Sequence, residues 1–345
     1  MLKIGLVGFA LVGMSLMHSG KAETLDETID GTLEQVRQRG WVNCGVTQGL
    51  EGFSKRNQQG NWEGLDVELC RAVAAAILGD AEQVDYFPLS AKARFSALQS
   101  GKIDILSRVT TWTLTREAKL GLRFAGINMY DGQGFMVRKD LGANSARELN
   151  GASICSNSSN STLANVADFF KLNGMEYTPI IFEKSSEVLR AYDQGRCDVY
   201  TSDKSGLAAQ RLQLMEPDQH VLLPDTISKE PLGPVVRSGD EQWFDIVRWT
   251  LNAVIEAEFL GITSSNASEL KEFGVMQQKR LLGSEGDFGS AMGLNADWAF
   301  TIITQVGNYS EIYERTVGSQ SPLGIARGLN AQWNNGGILY SQPIK

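Results

Sequence analysis

The sequence predicts an α/β protein of two similar lobes, and three observations carry that prediction. Two stretches are spelled alike: the Gly of the second stands 94 residues after the Gly of the first. Strands alternate with helices along most of the chain, the pattern of mostly parallel sheets. Two short apolar segments, near Gly134 and at 232–237, bracket residues 135–230, as expected if one unit is inserted into another.

The first copy of the repeat runs from Phe95 through Gly101 and Asp104 to Leu106, the second from Val188 through Gly195 and Asp198 to Tyr200. Each reads as an apolar-periodic helix stopped by Gly, which fits the left-handed position that closes a helix. A basic residue, a half-buried residue, an Asp and a short β-rich strand follow. The first strand leads into Thr110, Thr111, Thr113 and Arg116, the second into Thr201, Ser202, Asp203 and Lys204. One lobe thus offers hydroxyls and a guanidinium, the other a carboxylate. A zwitterion needs that pair.

Residues 30–40 read as a helix with Leu33 and Val36 inward and Gly40 as its stop. A strand over 41–46 follows, then a polar, Gly-rich connection from Thr47 to Asn61. Leu65, Leu69, Val73 and Ile77 fall on one face of a helix over 65–78, closed by Gly79. A strand is expected over 84–87, and Ser90 as N-cap of the helix that ends at Gly101. A short strand at 134–138 leaves this unit. From Gly151 the pattern restarts: strand 152–155, helix 162–172, strand 178–182, helix 186–194, strand 197–201.

The segment 232–237 resembles the one near Gly134 and enters a helix with Trp243, Ile246, Val247, Leu251, Val254 and Ile255 on one side, closed by Gly261. The domain reading is 1–22 as a leader, 23–133 with 235–345 as lobe 1 and a C-terminal extension, and 134–234 as lobe 2, with two strands crossing between the lobes. Beyond about residue 265 the chain is Gly-rich and less regular; 283–289 reads as a surface loop. Helices are expected over 296–306 and 309–316, with Trp298, Tyr309 and Tyr313 as core.

The length, 345 residues, is enough for two or three domains. The hydrophobic content of 42% and charged content of 21% are ordinary for a globular protein. A net charge of −8 argues against nucleic acid or an anionic membrane as partner. Lys3, the apolar run from Ile4 to Met17 and the small residues at Gly20 and Ala22 form a secretory leader cut after Ala22. No Cys follows that run until Cys44, which speaks against a lipid anchor.

Four cysteines fit an oxidising compartment and allow three pairings. Lobe symmetry favours Cys44–Cys70 and Cys155–Cys197. No CxxC or Cys/His cluster exists, so neither a metal nor a cofactor is expected. Once the leader is removed, the one histidine left is His220, in a polar turn and read as solvated. No Gly-x-Ser-x-Gly elbow or His-Glu-x-x-His motif is present.

Three groups remain with two readings each. Arg116 can clamp a carboxylate with two charge-assisted bonds, or pair with Glu117 at the surface. The run from Ser156 to Thr162 crowds hydrogen-bonding groups at a helix N-terminus, either to receive an anion or to cap the helix in a flexible loop. Asp203 at a strand end can hold an ammonium, or cap the helix from Ser205. Asn157 and Asn160 also head chance glycosylation triplets.

These residues carry a resemblance. The chain looks like the periplasmic solute-binding proteins of polar amino-acid ABC importers, solute-binding protein family 3. Their hallmark is Gly-x-Ile-Asp, a strand, a Ser/Thr-rich segment and an Arg twelve residues after the Asp, here Gly101, Asp104, Thr110 to Thr113 and Arg116. Trp62-x-Gly64-Leu65-Asp66-Val67-x-Leu69 matches the segment that opens the first long helix. Ser107 to Trp112, Tyr130 to Val137, Ser321-Pro-Leu-Gly324 and Gly328 to Ala331 are typical of the general L-amino-acid binding branch.

The resemblance implies a two-lobed, type II periplasmic binding protein fold with two hinge-crossing strands and a C-terminal helical extension. It implies that Arg116 binds the ligand α-carboxylate with Thr111 assisting, that Ser161 donates to the same carboxylate from the second lobe, that Asp203 holds the α-ammonium, and that Thr110 and Thr162 belong to the ligand-binding set. Thr47 and Leu50 fall where relatives line the pocket. Ser159, Leu163 and Val109 depart from the common pattern, and no stacking aromatic stands near Leu50 or Ala91; a wider pocket suits broad specificity. The implied activity is capture of L-amino acids by a periplasmic monomer and delivery to permease subunits. The rival is a cyclohexadienyl dehydratase-like enzyme on the same scaffold. A sensory module is disfavoured by the lack of a membrane helix.

Overall fold

The computed structural model describes residues 1–2, 31–158 and 161–345. The leader expected at 1–22 lies outside the described residues, apart from its first two. Ser159 and Asn160 lie outside them as well.

From Gly31 the chain forms α1 (Thr32–Arg39), β1 (Val42–Val46), β2 (Lys55–Arg56), β3 (Trp62–Glu63), α2 (Leu65–Leu78), β4 (Val84–Pro88) and α3 (Arg94–Gln99). Next come β5 (Ile105–Leu106), α4 (Leu114–Leu120), β6 (Leu122–Phe124), β7 (Met129–Asp131), β8 (Gln133–Arg138), β9 (Ser153–Asn157) and α5 (Thr162–Leu172). They are followed by β10 (Thr178–Phe182), α6 (Ser185–Asp193), β11 (Val199–Asp203), α7 (Lys204–Arg211), β12 (His220–Leu222), β13 (Glu230–Leu232) and β14 (Val235–Arg237). The chain ends with α8 (Glu241–Phe259), α9 (Ala267–Phe273), α10 (Met276–Leu281), α11 (Trp298–Val306) and α12 (Tyr309–Thr316).

Two five-stranded sheets result, ordered β4-β1-β5-β14-β6 and β10-β9-β11-β8-β12. They match position for position. In each, the first three strands are parallel and the fourth runs antiparallel to both its neighbours. That fourth strand arrives from the other half of the chain: β8 follows β7, and β14 follows β13. Strands β7 and β13 pair antiparallel, Met129 with Leu232 and Asp131 with Glu230, and form the link between the lobes. The link is tight at Gly233, where a Cβ would stand 1.9 Å from the Gly126 carbonyl oxygen.

The repeated motif does one job twice. Asp104 accepts a hydrogen bond from the Asn43 amide at 2.8 Å, and its own amide donates to the Asn43 carbonyl at 2.8 Å. Asp198 does the same with Ser153, at 2.9 and 3.0 Å. Gly101 and Gly195, at φ of 74° and 71°, turn the chain out of the preceding helix so that each Asp reaches its neighbouring strand.

Helix α2 is buried almost all round, not on one face as its periodicity predicts. The reason lies 220 residues on: α11 packs across it with Trp298, Ile302 and Ile303 inward. Gln305 joins the two, donating to the Gly79 carbonyl at 2.8 Å and accepting from the Ala81 amide at 2.7 Å. Trp298, Tyr309 and Tyr313 are core, as expected. Helices α9 and α10 lie in the stretch that reads as irregular; both are short and fully bury only Ala267 and Leu281, so they carry little periodic signal. Ser90 accepts from the Ala93 amide at 3.2 Å, one turn ahead of α3, so it starts the turn and is not the N-cap.

In the second sheet Phe135 and Val137 face one core, and Met136 the other. His220 corrects its expectation. It is buried on β12, and its Nδ1 lies 2.8 Å from the Tyr192 hydroxyl. Asp218 and Gln219 give the segment the polarity of a turn, but the chain enters edge strand β12 at His220. Cys44–Cys70 ties β1 to α2, and Cys155–Cys197 ties β9 to the segment before β11, the pairing that lobe symmetry favours.

Candidate ligand-binding cleft

A cavity of about 230 Å³ lies between the two sheets. Its walls come from the C-terminal ends of parallel strands: Thr47 after β1, Ala91 after β4, Arg108 after β5, Asn157 of β9, Lys184 after β10, Asp203 of β11. That edge, outside the carboxyl ends of the parallel strands, is where open α/β sheets present ligand groups.

Arg116 reaches the cavity from α4. Thr113 caps that helix, its Oγ1 accepting from the Arg116 amide at 3.3 Å. The Arg116 guanidinium is braced by Nη1 donating to the Thr111 carbonyl at 2.6 Å. It does not pair with Glu117, which accepts from the Trp112 indole at 2.6 Å. Burial lowers the Arg116 pKa, while the carboxylates of Glu230 and Asp203 oppose that shift.

The wall between β5 and α4 turns at Val109, which has φ of 33°, an unfavourable conformation for a β-branched residue. Asp66, at the start of α2, holds it there. Its carboxylate accepts from the Val109 amide at 3.1 Å and from the Ser107 hydroxyl at 3.3 Å. Burial pushes the Asp66 carboxyl up to about 6. On the far side of β1, Thr47 Oγ1 is 2.6 Å from Ser54 Oγ, and the Leu50 amide donates to the Ser54 carbonyl at 2.8 Å. These contacts fold the 47–54 loop onto itself and set Thr47 and Leu50 in the wall.

Asp203 enters from the other sheet. It stands at the N-cap position of α7, but its side chain makes no cap bond. Asp131 takes that role, accepting from the Ser205 amide at 3.2 Å. Burial raises the Asp203 pKa well above the usual carboxylate range; Asp131 and Glu230 add to it, and Arg94 and Arg116 oppose it. A buried carboxylate in that state gains most from an incoming cation.

Of the residues singled out from sequence, Thr47, Leu50, Thr111, Arg116, Ser161 and Asp203 line one cavity. Thr110 and Thr162 are not in its lining. The Thr110 hydroxyl turns inward, donating to the Arg108 carbonyl at 2.8 Å and accepting from Arg94 Nη1 at 3.3 Å. Thr162 is buried, and its carbonyl accepts from Gln133 Nε2 at 3.2 Å.

Residues 42–262 match the family described as bacterial extracellular solute-binding proteins, family 3. The chain belongs to that family. The general L-amino acid-binding periplasmic protein AapJ of Rhizobium johnstonii is 55% identical over 91% of this chain and 93% of its own length. The glutamate/glutamine/aspartate/asparagine-binding protein BztA of Rhodobacter capsulatus is 46% identical over 98% of each. A solved structure, an ABC transporter/periplasmic binding protein from Brucella ovis with glutathione bound, is 54% identical, covers 91% of this chain and 99% of that one, and superposes with a TM-score of 0.90.

Sequence reasoning missed three groups of this solute-binding protein. Glu230, on crossing strand β13, is buried and bonded from both sides. Its Oε2 accepts from Thr111 Oγ1 at 2.6 Å and Ser161 Oγ at 3.2 Å, its Oε1 from Asn165 Nδ2 at 2.8 Å and Ser228 Oγ at 2.7 Å. Arg94 and Arg108 line the cavity beside Arg116. Arg94 sits one residue before the repeat and Arg108 inside the Ser107–Trp112 match, so a signal for both stood in the sequence. Glu230 is in no motif; nothing local marks it.

Proposed function

We propose that this solute-binding protein captures L-amino acids outside the cytoplasm and hands them to the membrane permease of an ABC transporter. The observation that carries the reading is the convergence of Arg116 and Asp203, from different sheets, on one cavity, with Asp203 free of any capping bond. An α-carboxylate meets the guanidinium and an α-ammonium meets the buried carboxylate. Both charges are then paired, which is what allows a zwitterion to leave water.

Residues 23–133 with 235–345 act as one lobe and 134–234 as the other, and β7 and β13 serve as the hinge. Ligand contacts made only when the cleft is shut stabilise the closed form. The protein works as a monomer in the periplasm, exported by residues 1–22, and releases its ligand unchanged. The names of AapJ and BztA support the amino-acid class. Glutathione, held by the Brucella ovis relative, presents the same α-ammonium and α-carboxylate at its γ-glutamyl end. Thr111 and Ser161 help indirectly: each hydroxyl has one proton, given to Glu230, so carboxylate donors come from Arg116 and backbone amides.

The test is a thermal-shift screen of the twenty amino acids, since a ligand that binds the folded state raises its melting point. A rise with several L-amino acids, abolished in Arg116→Ala, is the expected result. No rise with any of them overturns the reading.

A further inference from the structure

The family match ends at residue 262, and the chain beyond it returns to the strands that join the lobes. In the ribbon of β7 and β13, Tyr130 stands opposite Pro231. Pro231 has no N–H to give, and its carbonyl faces away, accepting from the Trp112 amide at 2.8 Å. The backbone groups of Tyr130 are met by one side chain, 200 residues on. Asn330 Oδ1 accepts from the Tyr130 amide at 2.6 Å, and Asn330 Nδ2 donates to the Tyr130 carbonyl at 3.0 Å. A carboxamide holds an acceptor and a donor side by side, so it satisfies a strand edge as a neighbouring strand would.

Asn330 is itself held. It is buried in the short turn Gly328–Asn330, and its carbonyl accepts from Arg327 Nε at 3.0 Å. Arg327 binds both oxygens of Glu258, near the end of α8, at 2.9 Å, and its guanidinium carbon lies 5.2 and 5.0 Å from the Tyr309 and Tyr313 rings. Tyr309 donates to the Asn128 carbonyl at 2.8 Å, just ahead of β7. Up to Tyr130, then, β7 is tied to the helices of lobe 1. Two residues later the attachment changes side: the Gly132 carbonyl accepts from the Lys204 amide at 2.9 Å, at the start of α7. Strand β13 divides alike, with Pro231 bound to Trp112 and the preceding Ile227 amide donating to the Gln133 carbonyl of β8 at 2.9 Å. Asp131 stands between the two attachments of β7, and its carboxylate accepts from the Ser205 amide of α7, the helix that follows Asp203, at 3.2 Å.

We propose that the C-terminal extension is a hinge brace: Asn330 is a positioning residue that ties β7 to lobe 1, confines the bend to Asp131 and so fixes the path on which Asp203 closes toward Arg116. The inference rests on the reading of two lobes that shut on an amino acid, and it gives the extension its part in that movement. Without the brace, β7 bends over a longer stretch, the free protein samples more orientations, and every ligand must order a wider ensemble to reach the same closed state.

The test uses the full mature chain with spin labels at Lys92→Cys and Glu183→Cys, since those side chains are exposed and their charged groups lie 3.8 Å apart across the cleft mouth. Double electron–electron resonance should show a distance distribution at least twice as broad in free Asn330→Ala as in the parent. Calorimetry should show alanine, glutamine and glutamate each bound at least fivefold more weakly, by factors that agree within twofold. Arg327→Gln, which frees Asn330 from Glu258, should move both readouts the same way. A melting point that falls while distances and affinities stay unchanged overturns the proposal, since Asn330 would then only support the fold. A loss that differs tenfold between amino acids overturns it too, because Asn330 would then act at the ligand. Exchange of the Tyr130 amide in the parent, followed by NMR, decides without any variant: protection of at least a hundredfold supports the brace, and exchange as fast as in an exposed loop overturns it. If no amino acid binds the parent, the amino-acid reading has failed, while the distances in the free protein still decide the brace.

Discussion

Thr111 Oγ1 lies 2.6 Å from Glu230 Oε2, a hydroxyl at the edge of one sheet bonded to a carboxylate on the strand that crosses to the other. Ser161, from the opposite lobe, donates to the same oxygen at 3.2 Å. One buried carboxylate thus gathers hydroxyls from both lobes at the back of the cleft. The joint is polar and directional, so it sets how the two walls face each other.

Removing that carboxylate takes an acceptor from four donors: Thr111, which is buried, and Ser161, Ser228 and Asn165, which are half-buried, Asn165 keeping its bond to Gln133 Oε1 at 2.9 Å. Each orphaned donor costs on the order of 1 kcal/mol or more, partly relieved by water. Glu230→Ala should therefore lower the unfolding free energy by about 2–4 kcal/mol in urea denaturation, and Thr111→Val, which removes one bond, by about 1 kcal/mol. A Glu230→Ala protein as stable as the parent would show that the joint contributes nothing.

The raised pKa of Asp203 makes ligand binding depend on pH. An ammonium favours the ionised carboxylate, so binding expels the proton where the free site still holds it. Affinity should fall as pH is lowered from neutral, starting above the range of an ordinary carboxylate, and binding should release protons over that interval. Calorimetry in buffers of different ionisation enthalpy measures the release. It should vanish in Asp203→Asn; release that persists in that variant assigns the proton elsewhere.

Asp66 links stability to pH with the opposite sign from a salt-bridged carboxylate. Its folded pKa of about 6 lies above the ordinary 3.8, because burial outweighs the Val109, Ser107 and Asn128 hydrogen bonds and the Arg108 charge. The folded state holds the proton that the unfolded chain has lost. Its contribution is therefore full below about pH 3.8 and is lost as pH rises through about 6, in total about 3 kcal/mol. The stability difference between the parent and Asp66→Asn should shrink by that order across the window. A difference constant with pH would assign Asp66 an ordinary pKa.

The two disulfides close loops of 26 and 42 residues. In the chain-entropy picture they restrict the unfolded state by about 3.5 and about 4 kcal/mol. Cys44→Ala/Cys70→Ala and Cys155→Ala/Cys197→Ala should each lower the denaturation midpoint, the second pair slightly more. A reversed order would place enthalpic terms above loop entropy.

Much of the architecture was legible in the chain alone. The bounds of α2 and α5 follow from apolar spacing and the glycines at 79 and 174, because a helix writes its own period. The cysteine pairing followed from the likeness of the two lobes. Arg116 and Asp203 stood out because each ends a copy of one repeated motif. What periodicity does not report is which distant surface covers a face. Hence α2 read as half-exposed until α11 covered it, and His220 as solvated until β12 brought it to Tyr192.

By itself, the sequence determined two alike α/β units and a strand end in each that carries one charge of a pair. Only the tertiary structure decided that Asp131 relieves Asp203 of capping, that Glu230 collects the hydroxyls of Thr111 and Ser161, and that Asn330 meets Tyr130 on β7. Local spacing governs backbone geometry, which is encoded within a few residues. The electrostatic state of a side chain is set by whichever neighbours, near or 100 residues away, share its low-dielectric surroundings.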